Sequence, residues 1–312
     1  RGMDLYILVD VCNYSLTYSM SGNTNHMSPD DHYQNLKRII AAVGGKAKRI
    51  NVIMPFLYES RQHKRSSRES LDCALALQEL THMGVDNIIT FDAHDPRVQN
   101  AIPLSGFETV RPTYQFVKGL LDRYDDLIID SDHMMAISPD EGATERAVYL
   151  ANVLNLDMGM FYKRRDYTRV VNGRNPIVAH EFLGSSVEGK DVIILDDMIS
   201  SGDSILDVAK QLKSRNAKRI FAAATFGLFT NGLDKFDEAY ESGLIDGVLT
   251  TNLIYQTPEL LSRPYYINCD MSKYVALMID TLNHDGSISD ILDPSERIQV
   301  CVEEYKKAHG QL

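Results

Sequence analysis

No stretch of this 312-residue chain approaches the roughly 20 consecutive apolar residues that a membrane span needs. Its opening, RGMDLYILVD, has neither the apolar core nor the small-residue cleavage site of a secretory signal. A membrane role is therefore not expected. The four cysteines, Cys12, Cys73, Cys269 and Cys301, are far apart, form no CxxC pair and have no histidine at zinc-ligand spacing. That argues against a disulfide framework or a structural zinc site, and makes a reducing cytoplasm the expected setting. Positive charge is short as well: 32 Lys and Arg against 43 Asp and Glu leave a formal net charge of −11. Nucleic acid needs a broad basic face, so it is not an expected partner. The basic charge that is present gathers locally, at Arg61–Arg68 (RQHKRSSR) and Lys163–Arg165 (KRR). That pattern suits a phosphate pocket; the plainer reading is a solvated face.

With 44% hydrophobic and 24% charged residues the chain can bury a substantial core, and its length favours two domains. Short β-rich apolar runs alternate with amphipathic stretches, the pattern of a parallel α/β architecture. Strands are expected at Leu5–Val9, Ile50–Met54, Asn87–Phe91, Met135–Ser138, Met158–Tyr162, Asp191–Leu195, Ile220–Thr225, Gly247–Thr250 and Tyr265–Asn268. A helix over Asp31–Val43, closed by Gly44 and Gly45, places Tyr33, Leu36, Ile39, Ile40 and Val43 on one face. A second over Arg68–Met83 does so with Leu71, Ala74, Leu75 and Leu80. Two passages resemble each other, AKRINVIMPF at Ala47–Phe56 and AKRIFAAATF at Ala217–Phe226, which hints at a duplicated domain. Asn13–Pro29 reads as a polar loop. Asp166–Lys190, mixing Gly, Pro, Asn and charge between two strands, has the length of a functional flap or a disordered connection.

The most informative segment is Val192–Ser204, VIILDDMISSGDS. A buried strand ends in two carboxylates, Asp196 and Asp197, then turns through Ser200, Ser201, Gly202, Asp203 and Ser204 into a helix. Small residues leading into a helix N-terminus present N–H groups and hydroxyls to a phosphate, which the helix dipole favours. Gly202 lets the main chain approach closely. A carboxylate just before such a loop can accept hydrogen bonds from vicinal ribose hydroxyls. The alternative is an ordinary strand–cap–helix junction with Asp203 or Ser204 as N-cap.

These residues resemble the phosphoribosyl-diphosphate motif shared by type I phosphoribosyltransferases and ribose-phosphate diphosphokinases, and the rest of the chain resembles the diphosphokinases from Met3 to about Leu292. NVIMPFLYESRQHKR (Asn51–Arg65) is similar to their ATP-holding segment, with Arg61 and Gln62 in the matching positions. NIITFDAHDPRVQNAI (Asn87–Ile102) is similar to the following segment, whose histidine, here His94, is a magnesium–ATP ligand in the family. ISPDEGATERA (Ile137–Ala147) carries the magnesium-linked aspartate position at Asp140, and YKRR (Tyr162–Arg165) the start of the catalytic flap, with Lys163 and Arg165 as catalytic cations. The resemblance implies two tandem type I phosphoribosyltransferase-like α/β domains with mainly parallel sheets. It also implies transfer of a diphosphoryl group from ATP to the 1-hydroxyl of ribose 5-phosphate. Mg2+ is the implied cofactor, with inorganic phosphate as an activator and a homo-oligomeric assembly. Ribose 5-phosphate would rest on Asp196, Asp197 and the loop from Ser200 to Ser204.

The resemblance has departures. Family members usually carry Asp-Thr-Ala/Gly-Gly-Thr where this chain has Ser200 to Ser204, a histidine at the position of Phe226 and an aspartate at that of His63. The flap is longer, and an upstream stretch that relatives carry precedes the position of Arg1, so the chain is expected to be a divergent, N-terminally incomplete member. Expected domains are 1–115 with 271–292 on the ATP side, 116–270 on the ribose 5-phosphate side, and a C-terminal helix over 293–312 with Ile298, Cys301, Val302 and Tyr305 as its apolar side. Two alternatives stay open: a phosphoribosyltransferase, which consumes the diphosphate, and a regulatory subunit of the diphosphokinase family.

Overall fold

A computed structural model describes residues 2–165, 168 and 177–311; for 163–165 and 177–180 it describes the backbone alone. In chain order the elements begin with β1 (Leu5–Leu8), β2 (Thr17–Met20), β3 (Asn23–His26), α1 (Pro29–Val43), β4 (Ile50–Ile53), α2 (Asp72–His82), β5 (Asn87–Phe91) and β6 (Gly106–Val110). Next come α3 (Thr113–Arg123), β7 (Met134–Ser138), α4 (Thr144–Leu154), β8 (Asp157–Arg165), β9 (Ile177–Leu183) and β10 (Asp191–Ile199). The remainder are α5 (Asp203–Lys213), β11 (Ile220–Gly227), α6 (Asp234–Glu241), β12 (Gly247–Thr251), α7 (Pro258–Leu261), β13 (Tyr266–Cys269), α8 (Ser272–Asn283), α9 (Ser289–Leu292) and α10 (Ser295–Ala308). Two compact units result. One comprises Arg1–Pro112, Thr251–Thr257 and Asp270–Asp293; the other comprises Thr113–Thr250, Pro258–Cys269 and Pro294–Leu312. Among the described residues no helix is long and apolar enough to cross a membrane.

The first unit is built on a four-stranded parallel sheet of order β1-β4-β5-β6. Helix α1 opens on a capping box between Ser28 and Asp31, with Pro29 in its first turn. It buries His32, Tyr33, Leu36 and Ile40, whereas Ile39, expected on that face, is 47% exposed. The inward stripe is narrower than the run of apolar residues, and Ile39 lies about 100° round from Ile40. Helix α2 starts at Asp72 and not Arg68, and buries Cys73, Ala76, Leu77 and Leu80, leaving Leu75 exposed. The segment expected as a polar loop holds an antiparallel hairpin, β2 with β3, Thr17 opposite His26. Seven of its eight strand residues are exposed and the eighth is half-buried, so no burial alternation marks it.

The second unit carries a seven-stranded sheet of order β13-β12-β11-β10-β7-β8-β9. The pairings β7 with β8, β7 with β10, β10 with β11 and β11 with β12 are parallel, and β8 with β9 is antiparallel. Strand β11 is buried along its whole length and β10 through Leu195, as a sheet covered on both faces requires. On one face Ile193, Leu195, Phe221 and Ala223 pack with α3, α4 and α10; on the other Val192, Ile194 and Ala222 pack with α5 and α6. Helix α10 sinks Ile298, Val302 and Tyr305 into the first of these cores, where the Tyr305 hydroxyl accepts from the Leu127 N–H at 3.0 Å and donates to the Tyr124 carbonyl at 2.8 Å. Part of the expected flap is strand: β9 pairs with β8, Lys163 opposite His180, with a bulge between Arg164 and Arg165.

The resemblance between Ala47–Phe56 and Ala217–Phe226 extends to the hydrogen bonds. Arg49 pairs with Asp4 at the start of β1, and Arg219 pairs with Asp191 at the start of β10. Asp86 accepts from the Ile50 N–H at 2.7 Å and returns its own N–H to the Ile50 carbonyl at 2.8 Å. Asp246 does the same with Ile220, at 2.9 and 2.8 Å. The run β1-β4-β5 is thus repeated in β10-β11-β12. An arginine–aspartate clamp ties the first two strands of each run together at their N-terminal ends.

The clamp in the second unit is the more buried: the Arg219 and Asp191 side chains are 14% and 4% exposed, and Arg219 also reaches Asp126 at 2.7 Å. Replacing Arg219 with Met leaves Asp191 as an uncompensated buried charge. The expected loss is about 3–5 kcal/mol in urea denaturation of the whole chain; a loss of about 1 kcal/mol or less would mean that the clamp is dispensable.

Candidate active site

In the second unit the strand order turns back between β7 and β10: β8 lies on one side of β7, while β10 to β13 run outward on the other. At such a reversal the connections leave on opposite faces of the sheet, opening a crevice at the carboxyl ends of the two strands. The expected phosphoribose residues meet there. The pairing of β7 with β10 ends at Ile137 opposite Ile194, and β7 turns away through Pro139 and Asp140. Strand β10 continues to Ile199 beside β11, with Asp196 opposite Ala224. Asp196 is half-buried and Asp197 buried.

Asp140 caps a short 3-10 turn, its Oδ1 accepting from the Gly142 N–H at 2.9 Å, while the Ser138 hydroxyl donates to the Asp140 carbonyl at 2.6 Å. Asp196 Oδ1 accepts from the Asp197 N–H at 2.8 Å. Burial pushes the Asp196 carboxyl well above the usual carboxylate range, reinforced by the Asp197 charge and, less strongly, by Asp140. The ends of β7 and β10 thus bring acidic residues to the same side of the crevice.

Gly202 forms the N-cap of α5 with φ of +83°, and no side chain caps the helix; neither Asp203 nor Ser204 is the N-cap. A Cβ at Gly202 would stand 2.4 Å from the ring of Phe236, which is fully buried, so the loop needs glycine for space as well as backbone conformation. Ser200 and Ser201 are half-buried, and Asp203 and Ser204 exposed. Asp203 Oδ1 accepts from Lys235 Nζ at 2.5 Å and Oδ2 from the Ser201 hydroxyl at 3.0 Å, and these donors hold its carboxyl below the usual range. Lys235, on the first turn of α6, is a neighbour of the loop that sequence reasoning did not single out; GLDKFDEA carries no signal for it.

The expected ATP residues lie in the first unit, on the segments after β4 and β5. Arg61 is exposed, and Gln62 Nε2 donates to the Ser70 carbonyl at 2.8 Å, closing the loop on itself. The His94 ring lies 5.3 Å from that of His63, edge to face, and His63 Nε2 is 3.5 Å from Asp95. The Arg97 guanidinium grips Asp95 and holds its carboxyl down at about 2, against the opposing effect of burial. Lys163 and Arg165 lie on β8, and their side chains fall outside the described residues. His94 and Asp140 stand in different units. Among the described residues no three His, Cys, Asp or Glu side chains form a ready-made metal cage.

Residues 1–84 match the N-terminal domain of ribose phosphate pyrophosphokinase, and residues 111–251 match the phosphoribosyl transferase domain. A ribose-phosphate pyrophosphokinase of Mycoplasma genitalium is 30% identical over 258 residues, 82% of this chain and 70% of that protein. The chain belongs to the ribose-phosphate pyrophosphokinase family. The family's enzyme from Vibrio parahaemolyticus is 27% identical over 293 residues, 93% of this chain and 83% of that protein. The crystal structure of phosphoribosylpyrophosphate synthetase from Mycobacterium smegmatis shares the fold, with a TM-score of 0.72 at 20% identity, covering 92% of this chain and all of that one. Family membership thus agrees with the resemblance carried by the motifs, and so does the α/β fold with mainly parallel sheets.

The raised Asp196 carboxyl makes a testable demand. The folded state keeps a proton there that the unfolded chain releases, so stability falls as pH rises from about 4 through the higher folded value. Asp196→Asn is expected to melt above the parent at about pH 8, with the gap closing by about pH 4. A variant that melts below the parent at both pH values would show that the Asp196 charge is satisfied in the fold.

Proposed function

We propose that the protein is a ribose-phosphate pyrophosphokinase that transfers the diphosphoryl group of ATP to the 1-hydroxyl of ribose 5-phosphate, giving 5-phosphoribosyl diphosphate and AMP. The observation that carries this is that β10, ending in Asp196 and Asp197 and leading into the loop from Ser200 to Ser204, stands beside β7 and Asp140 at the point where the strand order reverses. On this reading Asp196 and Asp197 receive the ribose hydroxyls. The N–H groups of Gly202, Asp203 and Ser204, with the Ser200, Ser201 and Ser204 hydroxyls, receive the 5-phosphate. Arg61, Gln62 and His94 bind ATP, Arg61 through its planar fork.

A hard divalent cation suits the donors at hand. Neighbouring carboxylates gain from a positive charge, and magnesium is commonly held by one or two carboxylates, with water and substrate phosphates completing the shell. Asp140 and His94 are each proposed as a magnesium ligand, and magnesium when bound would neutralise charge on the phosphates. The chain's own part in the transfer is to place the sugar hydroxyl in line with the β-phosphorus and to bring cations to the transferring group. Lys163 and Arg165, on the strand that leads into the flap, are proposed as those cations. A homo-oligomer, activation by inorganic phosphate and a cytoplasmic setting complete the proposal.

Incubation of the protein with ATP, ribose 5-phosphate and magnesium is expected to release AMP in step with 5-phosphoribosyl diphosphate. Absence of AMP would overturn the activity and favour a regulatory subunit. Lys163→Ala is expected to lower turnover by about 10²–10³, with the melting temperature nearly unchanged, as removal of a transition-state cation does. Turnover within about threefold of the parent would give Lys163 another role.

A further inference from the structure

A phosphate-receiving loop has little use for a carboxylate, yet Asp203 stands in the middle of this one. Its two oxygens take the Lys235 ammonium at 2.5 Å and the Ser201 hydroxyl at 3.0 Å. A positive charge and a hydroxyl that would serve an incoming anion are thereby engaged by an internal one. Lys235 is held in place by its neighbour: Phe236 is fully buried against Gly202 and meets Phe229 edge to face at 5.2 Å. That packing ties the first turn of α6 to the loop. The ion pair itself is exposed, Lys235 by 52% and Asp203 by 56%, so the carboxylate can rotate into water.

Resting on the phosphoribose reading of this loop, we propose that the Asp203 carboxylate is an internal stand-in for the sugar 5-phosphate. Lys235 is then a phosphate-binding residue that exchanges Asp203 for the substrate. A phosphate dianion offers Lys235 and Ser201 more charge and more acceptor oxygens than one carboxylate does. The pair it displaces is exposed, and exposed ion pairs are weak. Left in place, Asp203 would stand beside the phosphate with like charge, so the exchange lowers affinity. It also favours sugars that bring a full dianion. The main-chain N–H of Asp203 still serves the phosphate, and its side chain competes with it.

The test is calorimetric binding of ribose 5-phosphate to the full chain in four forms: parent, Asp203→Asn, Lys235→Met and the double variant. Asp203→Asn is expected to bind about tenfold tighter, and Lys235→Met about tenfold weaker in both backgrounds, with Lys235→Arg close to the parent. Ligand-free melting curves verify that each variant is folded. Unchanged affinity in Asp203→Asn overturns the inference. So does a Lys235→Met effect that vanishes once Asp203 is Asn, because Lys235 would then serve Asp203 alone. Ribose 5-phosphate that binds neither the parent nor any variant would overturn the phosphoribose reading itself.

Discussion

The second unit is organised around a cost: two adjacent carboxylates, Asp196 and Asp197, at the end of a strand whose preceding residues are buried. Like charges taken out of water repel and lose hydration, and both effects raise the energy of the ionised pair. The unit tolerates them because the rest of β10 and all of β11 are covered on both faces and because β10 is fastened at its other end by the Arg219 clamp. A frame fixed at one end by paired opposite charges can hold unfavourable charge at the other. Ligands that bring hydroxyls and a cation to that end remove the cost, which is why the arrangement reads as a binding site and not as a packing error.

The first unit supplies an internal comparison. Its β1 starts from Asp4 as β10 starts from Asp191, with the same arginine clamp and the same aspartate at the start of the third strand. Six positions on, Asp10 takes the place that Asp197 has in β10. There the carboxylate is spent on the protein itself, accepting from the Cys12 N–H at 2.9 Å and the Tyr255 N–H at 2.6 Å. After it the chain runs to the β2–β3 hairpin and not to a small-residue loop opening a helix. One frame is thus used twice, and the residues that follow the first strand decide which copy carries a small-residue loop opening a helix.

Much of this was readable from the chain. All nine expected strands are present, because a doubly covered parallel sheet writes itself as short runs of Val, Ile, Ala and Phe. Strands β2, β3 and β9 were not expected: the first two are solvent-exposed, and β9 lies in a stretch rich in Gly, Pro and Asn, so neither shows a period. Strand β6, GFETV, is too short and mixed to stand out. Ile39 and Leu75 were assigned inward because they are apolar, and the helix geometry turned them outward. Lys235 was invisible, since its place beside the loop depends on Phe236 sinking beneath Gly202.

VIILDDMISSGDS by itself determined the local chemistry: a buried strand, two carboxylates, then small residues opening a helix. Local order is enough for that, because a strand end and a helix start are set by a few consecutive residues. Only the tertiary structure decided what that chemistry faces. Asp140, 56 positions before Asp196, joins the crevice because the strand order reverses between β7 and β10. Asp203 acquires a cation because α6 packs under the loop. Burial, the distance between like charges and the choice of partner are properties of residues remote in the chain, and none of them exists until the sheet has formed.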